Sequence, residues 1–239
     1  MTEPTIHSYD SADVLADAAA RDLGKMIGHA LAERGRASVM LSGGSSPKAT
    51  YDRMMQAQLV WDGVGIGLVD ERWVPPGAVG SNADFIRSCM DGTPAERAQF
   101  VPLYNGHETA ADGLEAAEQT LALMAQPFDV CVMGMGSDGH TASWFPRSGG
   151  LNAALGPDTA TTVCAVDATG CPVAGDHTDR ISLTYSAVAR ARHVVLLLPS
   201  AEKAAIFSRI AGDSLQDAPV NALRRLGPKL SVYTLESRT

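Results

Sequence analysis

One glycine-rich turn carries the residues of this chain best suited to proton transfer. The apolar run Phe128–Met133 is typical of a buried parallel strand, and the stretch Gly134–Ser143 that follows it contains three glycines. Three glycines are more than a strand needs in order to end, and they let the backbone approach a ligand closely. The turn also holds Asp138 and His140, and imidazole exchanges protons readily near neutral pH. We therefore predict that His140, together with Asp138, belongs to an active site.

A charged cluster follows a second apolar run. Asp70, Glu71 and Arg72 come directly after the predicted strand at 64–69. Ion pairs on the surface, which contribute little energy, explain such a cluster without any function. Arg72 also offers a planar guanidinium that suits a phosphate or a carboxylate. The spacing alone leaves both interpretations open.

A third strand end leads into Ser42-Gly43-Gly44-Ser45-Ser46-Pro47. Ser45 or Ser46 as helix N-cap, with Pro47 at the first helical position, accounts for this pattern without a ligand. A glycine turn at a helix N-terminus also presents free N–H groups to an anion. No Gly-Lys-Ser/Thr follows, so this is not a Walker A loop. Gly43, Gly44 and Ser45 are therefore candidate binding residues, with the capping interpretation beside them.

A lysine stands where a helix does not favour one. Ser200 is a natural N-cap for the helix predicted at 201–210, which puts Lys203 in its first turn. A cation there opposes the helix dipole, and a capping box would have Glu or Gln at this position. The placement gains functional weight if this helix end faces a ligand crevice.

The elements that must position these residues alternate along the chain. Apolar periodicity predicts strands at 37–41, 64–69, 129–133, 162–166, 181–184, 194–198 and 230–234. It predicts helices at 10–34, 47–55, 82–90, 109–125, 201–210 and 220–226. Short strands alternating with helices indicate a mostly parallel sheet with helices on both faces, and ligands bind such sheets beyond the carboxyl ends of the strands.

Length and composition bound the remaining possibilities. The 239 residues suit a single α/β domain over 1–239, in which the irregular segment 149–175 is compatible with a lid or an insertion. A net charge of −8 argues against a nucleic-acid partner. The amino terminus has no signal-peptide pattern, and no apolar run is long enough to span a bilayer. Four cysteines without metal-ligand spacing favour a reduced, cytoplasmic protein with no metal.

These motifs together resemble the 6-phosphogluconolactonase family. The resemblance is carried, in order along the chain, by Leu41–Pro47, Val69–Asn82, Phe128–Pro146, Arg180–Thr184 and Lys203-Ala204. It departs from the family pattern at Ser46, where threonine is usual, at Trp144, where leucine is common, and in the loosely matching carboxyl-terminal tail.

The resemblance implies a Rossmann-like fold shared with glucosamine-6-phosphate deaminases, and hydrolysis of 6-phospho-D-glucono-1,5-lactone to 6-phospho-D-gluconate. It implies that His140 transfers the protons, oriented by Asp138 or by another acid. The substrate-binding residues carried over with it are Gly43, Gly44, Ser45, Asp70, Arg72, Asn82, Arg180 and Lys203. It implies no cofactor, a sugar-phosphate lactone as the small-molecule partner, and a monomer or small homo-oligomer with neither nucleic acid nor membrane as partner.

Three alternatives to this interpretation differ from it in the motifs that they require. A serine nucleophile is disfavoured because the chain has no G-x-S-x-G motif. The second alternative is a sugar-phosphate isomerase or deaminase on the same fold. The family resemblance implies an Asp-Glu-Tyr signature for these enzymes, where this chain has Asp70-Glu71-Arg72. A non-catalytic sugar-phosphate sensor would be expected to carry a DNA-binding module, for which the chain has no basic helix-turn-helix and no spare length.

Overall fold

The computed structural model describes residues 3–156 and 160–236. Its strands are β1 (Thr5–Tyr9), β2 (Ala37–Leu41), β3 (Val64–Leu68), β4 (Asp70–Arg72), β5 (Gln99–Phe100), β6 (Val130–Met133), β7 (Val163–Asp167), β8 (Asp179–Leu183), β9 (His193–Leu198) and β10 (Leu230–Leu235). Its α-helices are α1 (Ala12–Arg34), α2 (Lys48–Met54), α3 (Asn82–Met90), α4 (Leu114–Leu121), α5 (Leu151–Ala154), α6 (Tyr185–Arg190), α7 (Ala201–Arg209) and α8 (Asn221–Arg224). No helix within these ranges is long and apolar enough to cross a membrane.

Seven strands form a central sheet in the order β1-β10-β9-β6-β2-β3-β5. Every neighbouring pair in it is parallel. Strands β2 and β6 are buried along their whole length, as expected for apolar strands covered on both faces. The prediction of an α/β fold with a mostly parallel sheet flanked by helices is confirmed.

The long first helix shows how local signals set the element boundaries. The Ser11 side chain accepts a hydrogen bond from the N–H of Val14, and Gly35 ends the helix in the left-handed region at φ 69°. Between these caps Leu23 and Ile27 lie on the buried face, and α1 packs against β2 and β10. One continuous apolar cluster contains side chains from this region and from both sheets, so the chain folds around a single core.

A second, smaller sheet differs from what the sequence predicts. Strands β4, β8 and β7 are antiparallel, in the order β4-β8-β7, and lie outside the parallel sheet. Only residues 168–178 connect β7 to β8, and parallel neighbours need a crossover of a dozen or more residues, usually a helix. The charged cluster at 70–72 is therefore itself a short strand, with Arg72 directly opposite Arg180.

The segment 149–175 is more regular than expected. It contains α5, β7 and a 3₁₀ turn at Pro172–Ala174, while residues 157–159, which also fall within this segment, lie outside the described part of the chain. Strand β1 and helix α6 have no counterpart among the predicted elements, and α4 is shorter by several residues at each end than the helix predicted at 109–125. Gly113 precedes α4 and lies against the Trp73 ring, where a Cβ would not fit.

Candidate active site

The carboxyl ends of the central strands surround a cavity of about 280 Å³. The loops that follow β2 and β6 contribute to it, together with β4, β8, the start of α3 and the first turn of α7. Nine of the ten sequence-predicted site residues line this cavity: Gly43, Gly44, Ser45, Asp70, Arg72, Asn82, His140, Arg180 and Lys203. The tenth, Asp138, contacts His140 from outside the lining. The structure thus brings the whole predicted set together.

The histidine and the aspartate form a close pair. His140 Nδ1 lies 2.6 Å from Asp138 Oδ1. Burial alone would raise the pKa of Asp138, but the hydrogen bond and charge of His140 outweigh it and hold this pKa below its usual value. An ionised carboxylate only accepts hydrogen bonds, so Nδ1 carries the proton and Nε2 is the basic nitrogen. In this tautomer Nε2 is unprotonated, as a general base requires of the nitrogen that accepts the proton.

The surroundings fix the imidazole plane. Phe145 packs against it with ring centroids 4.6 Å apart, and a Cβ at Gly136 would collide with the His140 ring. Gly136 also donates its N–H to the His140 carbonyl at 2.9 Å. The glycine at 136 is therefore explained by a close approach to the imidazole.

The loop after β2 presents unpartnered backbone donors. The N–H groups of Gly43, Gly44 and Ser45 have no hydrogen-bond partner among residues 3–156 and 160–236. Gly44 has φ 92°, and a Cβ at Gly43 would collide with the Asn82 side chain, so both positions require glycine. These donors face the same cavity as His140.

The predicted serine cap of α2 is wrong. This helix begins at Lys48 with Pro47 at its cap position and no side-chain capping bond. Ser46 instead accepts a hydrogen bond from Lys203 Nζ at 2.7 Å. The serine-rich loop is thus tied to the amino end of α7, which the helical-cap interpretation did not anticipate.

Lys203 occupies the first turn of α7, and its placement is as predicted. Ser200 is the N-cap, and its hydroxyl accepts the Lys203 N–H at 3.2 Å. Burial lowers the pKa of Lys203, while Glu202 opposes that change. The ammonium is held over the cavity at the positive end of a helix, where a bound anion would be stabilised by both.

Two arginines lie side by side on the small sheet. Arg72 Nη1 donates to the carbonyl of Gly80 at 2.7 Å and to Asn82 Oδ1 at 2.6 Å. Arg180 is 3% exposed, and it donates to the carbonyls of His177 and Ala174. Burial lowers the pKa of Arg180; the charges of Asp70 and Glu71 oppose this shift, and the charge of Arg72 adds to it. Like charges directly opposite each other on paired strands repel, so an anion bound in the cavity would reduce the repulsion between these two arginines.

Asp70 and Asn82 form the polar floor between these groups. Ser143 Oγ donates to Asp70 Oδ2 at 2.7 Å, and Asn82 Nδ2 donates to the Asp70 carbonyl at 2.8 Å. Since the other end of Asn82 accepts from Arg72, this amide links the carboxylate to the guanidinium. Ser143 was not among the predicted site residues, because nothing in its spacing indicates a contact with position 70.

Glu71 is the positioning residue that sequence reasoning missed. Its carboxylate accepts the N–H groups of Arg72, Asn82 and Ala83 at 2.7–2.8 Å. It thereby caps α3 from outside the helix and holds the backbone on both sides of the cavity rim. Eleven residues separate it from Asn82, so no local capping pattern could reveal the contact.

The pH dependence of stability tests the environment of Glu71. Burial raises the pKa of Glu71 to about 7, against the three N–H donors that lower it. The folded state therefore binds a proton that the unfolded state, with an ordinary value of about 4.3, releases, so this group costs stability as pH rises from about 4.5 to 7. We expect the stability advantage of wild type over Glu71→Gln, measured by urea unfolding, to be smaller at pH 8 than at pH 5 by at least about 1 kcal/mol. A constant or growing advantage would contradict this.

The described ranges contain no group of three or more His, Cys, Asp or Glu side chains arranged to hold a metal ion. The polar groups around the cavity are instead a basic nitrogen, backbone N–H donors and cations. Such a set can activate water, stabilise an oxyanion and bind a phosphate.

The fold and this cavity define an α/β protein in which cations, backbone N–H donors and a histidine–aspartate pair lie together at the carboxyl edge of a parallel sheet. Residues 10–231 match the family described as glucosamine-6-phosphate isomerases/6-phosphogluconolactonase, and the chain belongs to this family.

Individual relatives agree with the family match. The chain is 37% identical over 231 residues to the 6-phosphogluconolactonase of Rhizobium meliloti, which covers 95% of this chain and 97% of the relative. It is 35% identical to the 6-phosphogluconolactonase of Neisseria meningitidis serogroup B, with coverage of 96% and 98%. The crystal structure of a 6-phosphogluconolactonase from Shewanella baltica superposes with a TM-score of 0.88 at 32% identity, covering 98% of this chain and 97% of that one.

Proposed function

We propose that this protein hydrolyses 6-phospho-D-glucono-1,5-lactone to 6-phospho-D-gluconate. The relatives at 35–37% identity bear the name of this activity over nearly their full length. The observation that carries the proposal is that one cavity is lined by His140, whose imidazole pairs with Asp138, and by the cations Arg72 and Lys203. The groups that ring opening and phosphate binding require thus lie in a single site.

In the proposed mechanism His140 serves first as base and then as acid. Its Nε2 takes a proton from water while the water oxygen attacks the lactone carbonyl carbon, which gives a tetrahedral oxyanion. The oxyanion collapses, the bond from this carbon to the ring oxygen breaks, and Nε2–H returns the proton to the departing ring oxygen. Asp138 stabilises the transient imidazolium. Atoms and charge balance without any further group.

The oxyanion is assigned to backbone donors. The N–H groups of Gly43, Gly44 and Ser45 are unpartnered within the described ranges and line the cavity, so they are available to the developing charge or to substrate hydroxyls. Such donors are already fixed before the reaction, so they need not reorganise as the charge forms.

The phosphate is assigned to Arg72 and Lys203, with Arg180 contributing its charge. Two N–H groups of Arg180 are engaged by carbonyls, whereas Lys203 donates one bond, to Ser46. Asp70 lines the cavity as an acceptor for a hydroxyl. Asn82 has both polar ends engaged by Arg72 and Asp70, so its part in the proposal is to position them.

The same fold in the deaminases makes the reaction class the first thing to test. Purified protein is given 6-phosphogluconolactone or glucosamine-6-phosphate in separate assays. We expect acid production from the lactone far above the spontaneous rate, and no ammonia from the amino sugar, because a deaminase must also move protons between two carbons and expel an amine. Activity should persist in EDTA. Ammonia release, or a loss on chelation that added metal restores, would overturn the proposal.

The cellular location and the partners of the enzyme are proposed from its cysteines and its net charge. All four cysteines are free thiols, three of them buried, which suits a reducing cytoplasm. The net charge of −8 disfavours nucleic acid as partner. We include in the proposal a single catalytic domain over 1–239 that works as a monomer or small homo-oligomer.

A further inference from the structure

A second cavity lies at the opposite edge of the central sheet. We name it the rear cavity; its volume is about 480 Å³. Asp129 directly precedes β6, His193 opens β9 and Lys229 directly precedes β10, so the cavity lies at the amino ends of these strands. The last turns of α1 supply another wall. None of the residues assigned to the active site lines it.

Cations outnumber carboxylates in the rear cavity. Four cationic side chains line it, and they are Arg34, Arg190, Arg192 and Lys229. Among residues 3–156 and 160–236, two carboxylates line it, those of Glu33 and Asp129. The chain as a whole carries −8, so an excess of two positive charges in one concave site is a local reversal of sign. Such a site attracts small anions from solution.

A buried carboxylate holds the arginines in place. Asp129 is 2% exposed, accepts hydrogen bonds from the N–H of Ser38 at 2.9 Å and from Arg34 Nη2 at 2.7 Å, and forms an ion pair with Arg192, whose Nε lies 3.2 Å from Asp129 Oδ1. Asp129 therefore belongs to the protein's own framework, and it orients guanidinium groups that solvent would otherwise leave mobile. Preorganised donors lose less entropy when a ligand arrives.

Several donors remain available after these bonds are counted. Within the described residues Arg192 uses only Nε, so Nη1 and Nη2 have no partner. Lys229 Nζ donates one hydrogen bond, to the Ala189 carbonyl at 3.0 Å, of the three that an ammonium can make. The imidazoles of His29 and His193 form no hydrogen bond with any described residue. The Arg192 guanidinium, the Lys229 ammonium and two imidazoles thus line the same cavity.

We infer that the rear cavity binds a small molecule through a phosphate or diphosphate group. The cationic lining favours a phosphate dianion, and the paired Nη groups of Arg192 match two of its oxygens. The cavity's volume accepts a small metabolite, and the acidic remainder of the chain repels an extended polyanion. This site is separate from the one that holds the lactone.

Pyrophosphate binding measured by calorimetry tests the inference. The Arg72→Ala/Lys203→Ala protein is used, so that the catalytic cavity lacks its phosphate-binding cations, and ionic strength is held constant with chloride. We expect one pyrophosphate to bind. Adding Arg192→Gln and Lys229→Gln should raise the dissociation constant at least tenfold, because the loss of one charged hydrogen bond to phosphate weakens binding by about this factor. The matched control Arg36→Gln removes a nearby exposed charge outside the cavity and should change it less than twofold.

Each alternative result overturns the inference. Absence of binding does so, as does an affinity that Arg192→Gln and Lys229→Gln leave unchanged, or one that Arg36→Gln weakens equally. If the Arg192 variant fails to fold because Asp129 loses a partner, Lys229→Gln alone is decisive, since Lys229 is exposed and bonds only a surface carbonyl. Lys229→Gln in the otherwise native protein should leave lactone hydrolysis unchanged.

Discussion

Replacing His140 by alanine is expected to lower kcat for lactone hydrolysis at least about 100-fold, the usual contribution of a positioned proton-transfer group. The variant should still fold, because the side chain lies in a loop at the cavity and is only partly buried. Its KM should change little, since the phosphate-binding cations remain. The measurement is the rate of acid production with the spontaneous hydrolysis subtracted, beside a thermal melt.

His107→Ala is a matched control for this experiment. His107 also bonds a side chain two residues away, Asn105, but it is exposed and lies outside the cavity. Its substitution should leave kcat within twofold of the wild type. A folded His140→Ala protein with nearly normal kcat would remove His140 from the mechanism.

Arg72→Ala and Lys203→Ala are expected to act on phosphate recognition. A charged hydrogen bond to phosphate in a partly desolvated cavity is worth about 1.5–3 kcal/mol, which corresponds to a loss of roughly 10- to 100-fold in kcat/KM. Unphosphorylated glucono-1,5-lactone lacks the group that these cations bind, so its hydrolysis should change little. The comparison of the two substrates in each variant is the measurement.

Of the two substitutions, Lys203→Ala is the cleaner one. It frees only Ser46 and removes a cation from the positive end of α7, so the helix should be at least as stable. Arg72→Ala also releases Asn82 and the Gly80 carbonyl. Lys48→Ala, on the neighbouring helix and outside the cavity, controls for loss of charge. Equal losses on both lactones would show that these residues do not recognise the phosphate.

The elements that local signals define were predictable from the sequence. The strand at 37–41 and the helix at 82–90 have the predicted bounds, because apolar runs and caps lie within the elements themselves. Ser81, for example, accepts the Asp84 N–H and starts α3. The candidate site was proposed from a local signal of the same kind, since glycines and an imidazole lie together in one turn after a strand.

Contacts between distant segments were not predictable in this way. The cluster at 70–72 is a strand because it pairs with β8, more than a hundred residues away, and its two carboxylates, Asp70 and Glu71, are consequently buried. Ser46 bonds Lys203 across 157 positions, so its expected role as a cap had no local signal against it. The acid that orients His140 was left open, and the structure puts Asp138 at the imidazole because the turn folds back over two residues.

A crystal structure of the protein with 6-phospho-D-gluconate bound tests the central claim most directly. The account predicts phosphate oxygens within about 3 Å of the Arg72 and Lys203 nitrogens, and the carboxylate at carbon 1 within hydrogen-bond distance of His140 Nε2. The reverse orientation, with the phosphate beside His140 and the carboxylate on the two cations, would contradict it. So would a product molecule bound outside this cavity.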